Sequence, residues 1–294
     1  MSNILVTGAT GHLGTAVTAA LLQKTATANV TILVRDAAKA TALADKGAKV
    51  AIGDYSDYPS LVSAFQGIDK IYLVSGNDVV NRASQHENVI NAAKEAGVKH
   101  IVYSSFQRNN ETADSPIAFI ANSHLSTEEA LKSSGLIYTL LQHTLYADII
   151  PLFAGPKLLE TKTIYLPAGT GRTAFAVRTD LAEAGANVLL DESGKFDNLA
   201  IELTGPESLS WEQIAELISK VTGQSISYVS PTVADFTAAL TEAKVPAEYI
   251  GMFAGFSQAI AEGEFERTSS ELENILGREP LSIAEYLTSV YHKA

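Results

Sequence analysis

The sequence predicts an α/β protein: a Rossmann-type, doubly wound parallel sheet with a smaller, mostly helical C-terminal lobe. Three observations support this prediction. Short β-branched runs alternate with longer amphipathic segments, as in βαβ units. The first apolar run leads directly into a glycine-rich turn. A glycine also separates a helical segment from the next strand at four places, where a left-handed residue is expected: Gly47, Gly67, Gly97 and Gly135.

The alternation defines six strands and five helices in the first half of the chain. The predicted strands are 4–7, 30–34, 49–52, 70–74, 100–104 and 137–141. The predicted helices are 13–23, 37–45, 58–65, 83–96 and 117–133. Such an alternation predicts the strand order 3-2-1-4-5-6, with a ligand crevice between the first and fourth strands.

The pattern is looser after about residue 146. Residues 156–171 are expected to be irregular and mobile, a helix is expected near 179–190 and a strand near 200–203. Ser210, with Gln213 three residues later, predicts a capped helix start. We predict a Rossmann core over 1–150 and a substrate-side lobe over 151–294, with segments of about 179–203 returning to pack on the core.

The turn after the first strand is a candidate dinucleotide site. Gly8 permits a tight exit from the strand, Gly11 permits close approach of a pyrophosphate, and Gly14 permits close packing of the helix on the sheet. The helix that follows directs its free N–H groups and positive dipole end at the phosphates. The predicted phosphate-binding residues are Gly8, Thr10, Gly11, His12, Leu13 and Gly14.

The end of the second strand indicates which dinucleotide is bound. An acidic residue there holds the ribose of NAD, whereas an arginine accommodates the additional phosphate of NADP. This chain has Arg35 at that place, with Lys39 one helical turn later. We therefore predict NADPH as the cofactor, in preference to NADH. The alternative is a surface Arg35 paired with Asp36.

Composition excludes several other functions. With 33 acidic and 21 basic residues, the formal net charge of -12 disfavours binding to nucleic acids or to anionic membranes. The absence of cysteine excludes disulfides, thiol catalysis and cysteine-ligated metals. The six histidines lack metal-ligand spacing, so no metal site is predicted, and we expect His86 and His100 on the surface of a helix and a strand. A strand that begins close to Met1, without any membrane-spanning apolar run, leads us to expect a cytoplasmic protein. The oligomeric state, including a homodimer, is left open.

Several motifs together resemble a known family. They are the turn 8–14, the strand end 33–35, Gly53-Asp54-Tyr55, the helical segment 85–94 and the Gly-Val-Lys of 97–99. This set resembles the NmrA-like, atypical short-chain dehydrogenase/reductases. Within them it is most similar to the type 2 NAD(P)H:quinone oxidoreductases and, slightly less, to the triphenylmethane reductases. The resemblance spans nearly the whole chain.

The resemblance implies NADPH as cofactor and a substrate pocket between the Rossmann core and the C-terminal lobe. It implies that Asp54 and Tyr55 flank the adenine. It also implies that Ser75, Gly76, Tyr103, Ser104 and Ser105 line the cofactor toward the nicotinamide. For Tyr103, packing in the core is an equal alternative.

The chain departs from short-chain dehydrogenases that interconvert alcohols and ketones, which carry a Tyr and a Lys four residues apart on the fifth helix. Ile120 and His124 stand at the matching positions, on one helix face. We take His124, His143 and Tyr146 as candidate active-site residues. The alternative for His124 is a packed histidine without function, and for His143 a structural role at the end of the sheet. The loop 106–116 is a candidate lid.

The missing pair is compatible with a quinone substrate. Reduction of a quinone gives a phenol-like anion, whose reference pKa of about 10 makes it a much weaker base than an alkoxide. We therefore expect NADPH-dependent hydride transfer to a quinone or a similar small electrophile. Reduction of dyes or nitro compounds would use the same geometry. The alternative of another class is an NADP(H)-binding redox sensor without turnover.

Overall fold

The computed structural model describes residues 2–292, and its centre is a seven-stranded parallel sheet in the order β3-β2-β1-β4-β5-β6-β9. The strands are β1 (Ile4–Val6), β2 (Val30–Val34), β3 (Lys49–Ile52), β4 (Lys70–Leu73), β5 (His100–Phe106), β6 (Ile137–His143), β7 (Thr163–Tyr165), β8 (Arg172–Thr173), β9 (Leu199–Leu203), β10 (Leu209–Ser210) and β11 (Ser227–Val229). The predicted fold class and strand order are confirmed. β5 and β6 extend two residues beyond the prediction, so that Phe106 pairs with His143.

Helices cover both faces of the sheet. The α-helices are α1 (His12–Lys24), α2 (Thr41–Ala44), α3 (Tyr58–Ala64), α4 (Arg82–Glu95), α5 (Ala118–Ser133), α6 (Ile150–Ala154), α7 (Leu158–Thr161), α8 (Arg178–Leu190), α9 (Trp211–Thr222), α10 (Val233–Glu242), α11 (Ala247–Ala261), α12 (Glu271–Leu276) and α13 (Ile283–Tyr291). Because side chains alternate along a strand, Ile4 and Val6 join the core beneath α1 and α8, while Leu5 joins the core beneath α3, α4 and α5.

Residues 178–203 return to the first half of the chain. α8 packs on α1 in one core, and β9 pairs with β6 in parallel. A separate core is shared by the C-terminal lobe and by Ile117 and Leu145 from the first half. The division of the chain near residue 150 stays a prediction.

Three local expectations are wrong. The stretch 156–171 is not irregular: it contains α7 and β7, because Leu158, Ile164 and Leu166 are buried in the core of the lobe. The segment 37–45 is not one helix but a 3-10 turn, Ala37–Ala40, followed by the short α2. His86 and His100 are not surface residues, since both are buried and hydrogen-bonded to threonine hydroxyls.

The expected helix start at Ser210 is confirmed, with Gln213 completing a capping box. Within residues 2–292, no helix is both long enough and apolar enough to cross a membrane. The same residues contain no group of three or more metal-ligating side chains.

Candidate active site

A single long cleft follows the carboxyl ends of the parallel strands. Its volume is about 1170 Å³, which exceeds the roughly 300–1,000 Å³ typical of a pocket for one small molecule. The segments after β1 to β6 line it in turn, from Arg35 at one end to Phe153 and Met252 at the other. The cleft therefore has room for an extended ligand and a second molecule, at the predicted switch between β1 and β4.

The glycine turn has the backbone geometry that a phosphate site requires. Gly8 has a left-handed φ of 57°. A Cβ on Gly14 would lie 2.3 Å from the Gly8 carbonyl oxygen, so only glycine allows α1 to pack this closely on the turn. Gly11 is the N-cap of α1 and provides no side-chain cap, and the first turn carries no acidic residue. The first N–H groups of α1 are therefore available to an anion.

Arg35 lies exposed at the end of β2 and lines the cleft. Among residues 2–292 it forms no ion pair. Asp36, the partner that the alternative required, instead accepts a hydrogen bond from the Ala38 N–H at 2.9 Å. The arginine is therefore available to a ligand phosphate.

Asp54 and Tyr55 follow β3 and line the same end of the cleft. The Tyr55 hydroxyl donates to the Val74 carbonyl at 2.9 Å and lies within hydrogen-bond distance of Thr7 Oγ1. These bonds connect the ends of β1, β3 and β4 and fix the Tyr55 ring beside the turn.

His86, on α4, holds the segment after β4 in place. Its Nε2 accepts a hydrogen bond from the Gly76 N–H at 3.0 Å, and its Nδ1 lies 2.9 Å from Thr127 Oγ1. Arg82 Nε donates to the Gly76 carbonyl at 2.6 Å. Burial and, secondarily, the charge of Arg82 lower the pKa of His86 to about 3, so the ring is neutral and Nε2 remains an acceptor.

Sequence analysis missed this role of His86, although a signal for it was present. His86, Val89, Ile90 and Ala93 are spaced as one face of a helix, and all four are buried. The apolar partners at these spacings mark the histidine as inward-facing.

Ser104 and Ser105, at the end of β5, line the middle of the cleft. Ser104 Oγ accepts from the Ser75 N–H at 2.9 Å, and Ser105 Oγ donates to Glu128. Glu128 is also held by both terminal nitrogens of Arg108, at 3.0 and 2.9 Å. Although burial raises the pKa of Glu128, the bonds from Arg108 and Ser105 outweigh it and keep the pKa below its ordinary value.

These contacts also determine the state of the loop 106–116. Arg108 is fastened to Glu128, and the N–H groups of Asn109 and Asn110 donate to Glu264 in the C-terminal lobe. Within this loop only Phe106 lines the cleft. The geometry does not support the loop as a lid.

Ile120 and His124 line the cleft together, as their spacing on α5 predicted. His124 Nδ1 lies 2.7 Å from the Tyr103 hydroxyl, and its ring stacks on Phe106 with centroids 5.6 Å apart. Tyr103 is fully buried, does not line the cleft and supports His124 from behind. Burial and nearby positive charges lower the pKa of His124 well below its ordinary value.

Tyr146, half-buried at the far end of the sheet, lines the cleft. Its hydroxyl lies 3.1 Å from His143 Nδ1, and the Arg178 guanidinium carbon lies 4.5 Å from its ring centroid. Asp148 Oδ2 pairs with Arg178 Nη1 at 2.5 Å. His143 is 1 % exposed and does not line the cleft, so it contacts Tyr146 from behind.

Arg178 was also missed, because its place depends on a contact between distant segments. Ala147 N–H donates to the Ala176 carbonyl, and Ala176 N–H donates to the Leu145 carbonyl. This backbone pairing brings Arg178, at the start of α8, over the Tyr146 ring. No local sequence pattern predicts this contact between Arg178 and Tyr146.

Apart from Thr144, the remaining wall at this end is apolar. The apolar lining consists of Phe106, Ile120, Leu145, Ile149, Leu152, Phe153, Met252 and Phe256. Three predicted site residues do not line the cleft: Gly14, which acts through packing, Tyr103, which supports His124, and His143, which contacts Tyr146.

A sequence profile of the NmrA-like family matches residues 1–287. The chain belongs to the NmrA-like family. The chain is 36% identical over 289 residues to quinone oxidoreductase 2 of Escherichia coli, covering 98% of this chain and 99% of that protein. It is 31% identical to an NAD(P)H azoreductase of Xenophilus azovorans, covering 83% of this chain and 82% of that protein.

Solved structures of the family have the same architecture. A crystal structure of an NADPH-dependent quinone oxidoreductase from E. coli, complexed with NADPH, superposes with a TM-score of 0.91 at 35% identity, covering 98% of this chain and 99% of that one. A triphenylmethane reductase of Citrobacter sp., complexed with NADP(H), gives a TM-score of 0.88 at 32% identity, covering 98% and 99%.

Proposed function

We propose that this NmrA-like protein is an NADPH-dependent oxidoreductase that reduces quinones or similar small, planar electrophiles. One observation carries the proposal: a single cleft joins a glycine turn with an arginine at the tip of β2 to an apolar, aromatic chamber. The similarity to quinone oxidoreductase 2 over the full chain supports the same chemistry.

The cofactor end fits NADPH. Gly11 and the first N–H groups of α1 would hold the pyrophosphate, because the turn leaves no side chain in their way. Arg35 would bind the additional phosphate through charge-assisted hydrogen bonds. Asp54 and Tyr55 would flank the adenine, while Ser75, Gly76, Ser104 and Ser105 would line the cofactor toward the nicotinamide. When bound, NADPH supplies the hydride.

The substrate end fits a flat, apolar molecule. The rings of Phe106 and Phe256 and the side chain of Ile120 would exclude water and hold the substrate in a fixed orientation. Ile120 provides no proton, so an alcohol-forming reaction lacks its usual donor. His124 and Tyr146 are the polar groups available to orient a carbonyl oxygen. The expected cytoplasmic location stays a prediction.

The proposal is tested by mixing the purified protein with NADPH and a panel of small quinones and following absorbance at the nicotinamide band. We expect NADPH to be oxidised at a rate that depends on quinone and protein, and more slowly when NADH replaces NADPH. Tight NADPH binding without any turnover would contradict the proposal and would support a redox sensor.

A second prediction concerns the cofactor preference. Charge-assisted hydrogen bonds contribute about 1.5–3 kcal/mol, so Arg35→Ala should weaken NADPH binding roughly 10- to 100-fold. NADH binding should change little, because NADH lacks the additional phosphate. The measurement is a fluorescence titration of each cofactor. Arg267→Ala removes an exposed arginine that does not line the cleft and serves as the control. Equal losses of affinity for both cofactors would show that Arg35 does not bind the additional phosphate of NADPH.

A further inference from the structure

The Tyr146 hydroxyl lies at the substrate end of the cleft, bonded to a neutral group and next to a cation. His143 Nδ1 is 3.1 Å from Tyr146 Oη, and burial, with a smaller effect of Arg178, lowers the pKa of His143 to about 3. Arg178 covers the ring face at 4.5 Å. The phenol is therefore not committed to a carboxylate acceptor, although it is half-buried.

Thr144 also lines the cleft, and its Oγ1 has no hydrogen-bond partner among residues 2–292, but it is an aliphatic alcohol and a far weaker acid than a phenol. Three other hydroxyl groups that line the cleft are already engaged. The Tyr55 hydroxyl donates to the Val74 carbonyl, and Ser105 Oγ donates to Glu128. Ser104 Oγ lies 3.3 Å from the Leu73 carbonyl and donates to it. Each of these hydroxyl hydrogens is bonded to a protein acceptor. To bond a substrate, it would have to leave that acceptor unpaired, which costs free energy.

His124 also faces the cleft but is a poor proton donor. Burial keeps its ring neutral, and a neutral imidazole N–H donates a hydrogen bond without giving up its proton at ordinary pH. A phenol is the more acidic neutral group.

The pattern around His143 leaves the Tyr146 hydrogen available. His143 Nε2 is buried and has no hydrogen-bond partner among the described residues 2–292. If Tyr146 donated to Nδ1, the proton of the ring would sit on Nε2 as a buried N–H without an acceptor. If Nδ1–H donates to Tyr146, the unpaired atom is an acceptor, which proteins tolerate more often than an orphaned donor. This second tautomer fixes the phenol oxygen and lets its hydrogen turn into the cleft.

We propose that Tyr146 donates a hydrogen bond and then its proton to the substrate oxygen, with His143 as the positioning residue and Arg178 stabilising the negative charge. This inference rests on the proposed function. It assigns this family member a proton donor that comes from the end of β6 instead of from α5.

The chemistry balances as follows. A hydride, which is one proton with two electrons, converts a quinone into the hydroquinone monoanion. The Tyr146 O–H bond then breaks and an O–H bond forms on the anionic oxygen, which gives the neutral hydroquinone and a tyrosinate. Water returns one proton to Tyr146 and closes the cycle, so one solvent proton is consumed per turnover.

The surroundings raise the pKa of both phenolic groups, that of Tyr146 and that of the bound hydroquinone. Burial raises the pKa of Tyr146 to about 12, while Arg178 opposes this shift, so the donor is protonated at neutral pH. A hydroquinone oxygen bound beside it loses the same hydration, which raises its pKa as well. Asp148 holds the guanidinium in place over the ring. As the proton leaves, the charge that develops on the phenol faces a cation that needs no reorganisation.

The test compares Tyr146→Phe with the wild-type protein on quinones whose hydroquinones differ in basicity. For each quinone, with the uncatalysed rate subtracted, the ratio of wild-type to variant kcat is measured. General acid catalysis contributes about 100-fold or more, so the ratio for tetramethyl-p-benzoquinone should be about 100. For chloro-p-benzoquinone, whose hydroquinone anion is far less basic, it should approach unity. A solvent deuterium isotope effect on the first substrate should disappear in the variant.

Tyr72→Phe is the matched control. Tyr72 lies in the same core, is fully buried and does not line the cleft, and its hydroxyl has no hydrogen-bond partner in the described part of the chain. Its removal should leave every ratio near unity. A Tyr146→Phe ratio that is the same for all quinones would overturn the inference but not the proposed function. Absence of quinone-dependent NADPH oxidation by the wild-type protein would overturn both.

Arg178 is tested separately, because it acts through Tyr146. Arg178→Lys keeps a cation next to Asp148, whereas the double variant Arg178→Met with Asp148→Asn removes both charges. We expect the double variant to lose at least tenfold in kcat on tetramethyl-p-benzoquinone and Arg178→Lys to recover part of that loss. A shift of KM alone, with kcat unchanged, would contradict the role of Arg178 in proton donation.

Discussion

Replacing Gly14 with alanine should weaken NADPH binding and lower kcat/KM by roughly 100-fold. The added methyl would lie 2.3 Å from the Gly8 carbonyl oxygen and 2.7 Å from the Gly8 carbonyl carbon. These are backbone atoms of the turn that we propose as the pyrophosphate site, so α1 and the turn must separate. Overpacking costs about 1–3 kcal/mol. A displacement of about 1 Å at a binding site reduces kcat/KM by roughly 100-fold.

The matched control for this prediction is Gly251→Ala. Gly251 is also a helical glycine, within α11, but nothing lies within 4 Å of the position that its Cβ would occupy. Alanine should stabilise that helix by about 0.5–1 kcal/mol and leave NADPH binding unchanged. Thermal unfolding and a fluorescence titration measure both effects. Normal cofactor affinity in Gly14→Ala would show that close packing of α1 on the turn is not required.

The fold could be predicted because its signals are local and repeated. Each βαβ unit carries an apolar strand, an amphipathic helix and a glycine before the next strand, and Gly47, Gly67, Gly97 and Gly135 all have left-handed φ values. Once these units are recognised, the right-handed crossover leaves few possible strand orders. The stretch 156–171 was misjudged because its short elements are stabilised by tertiary burial, which no local pattern encodes.

The backbone geometry of the proposed cofactor end could be predicted for the same reason, whereas its role in binding stays a prediction. Gly8, Gly11 and Gly14 act within one turn, and Arg35 follows directly from the end of a strand. The substrate end depends on contacts between distant segments. Arg178 reaches Tyr146 through the backbone pairing of 145–147 with Ala176, and Asn109 reaches Glu264 across 155 positions. Such partners are set by packing, so sequence reasoning placed Tyr146 at the cleft but did not predict its neighbours.

Mildly acidic pH should lower the free energy of unfolding of this protein steeply, because the protein buries four neutral histidines. Burial lowers the pKa of His86 and His143 to about 3 and that of His100 to about 4, and it lowers the pKa of His124 well below the ordinary value. In the unfolded chain each titrates near the reference pKa of about 6.5. Below that pH the unfolded chain binds protons that the folded chain does not, so the stability that is fully present above pH 6.5 is lost as the pH falls toward 4.

We expect a large slope of the free energy of unfolding against pH. One group contributes up to about 1.4 kcal/mol per pH unit, so four contribute about 5 kcal/mol per pH unit, against a typical total stability of roughly 5–15 kcal/mol. Chemical denaturation at a series of pH values measures the slope. His100→Gln keeps a donor toward Thr139 but cannot titrate, so its slope should be smaller by about 1.4 kcal/mol per pH unit. His292→Gln changes an exposed histidine and should leave the slope as it is. His100→Gln removes a titrating imidazole and keeps a hydrogen-bond donor. If this variant has the full wild-type slope, the acid sensitivity does not come from buried histidines.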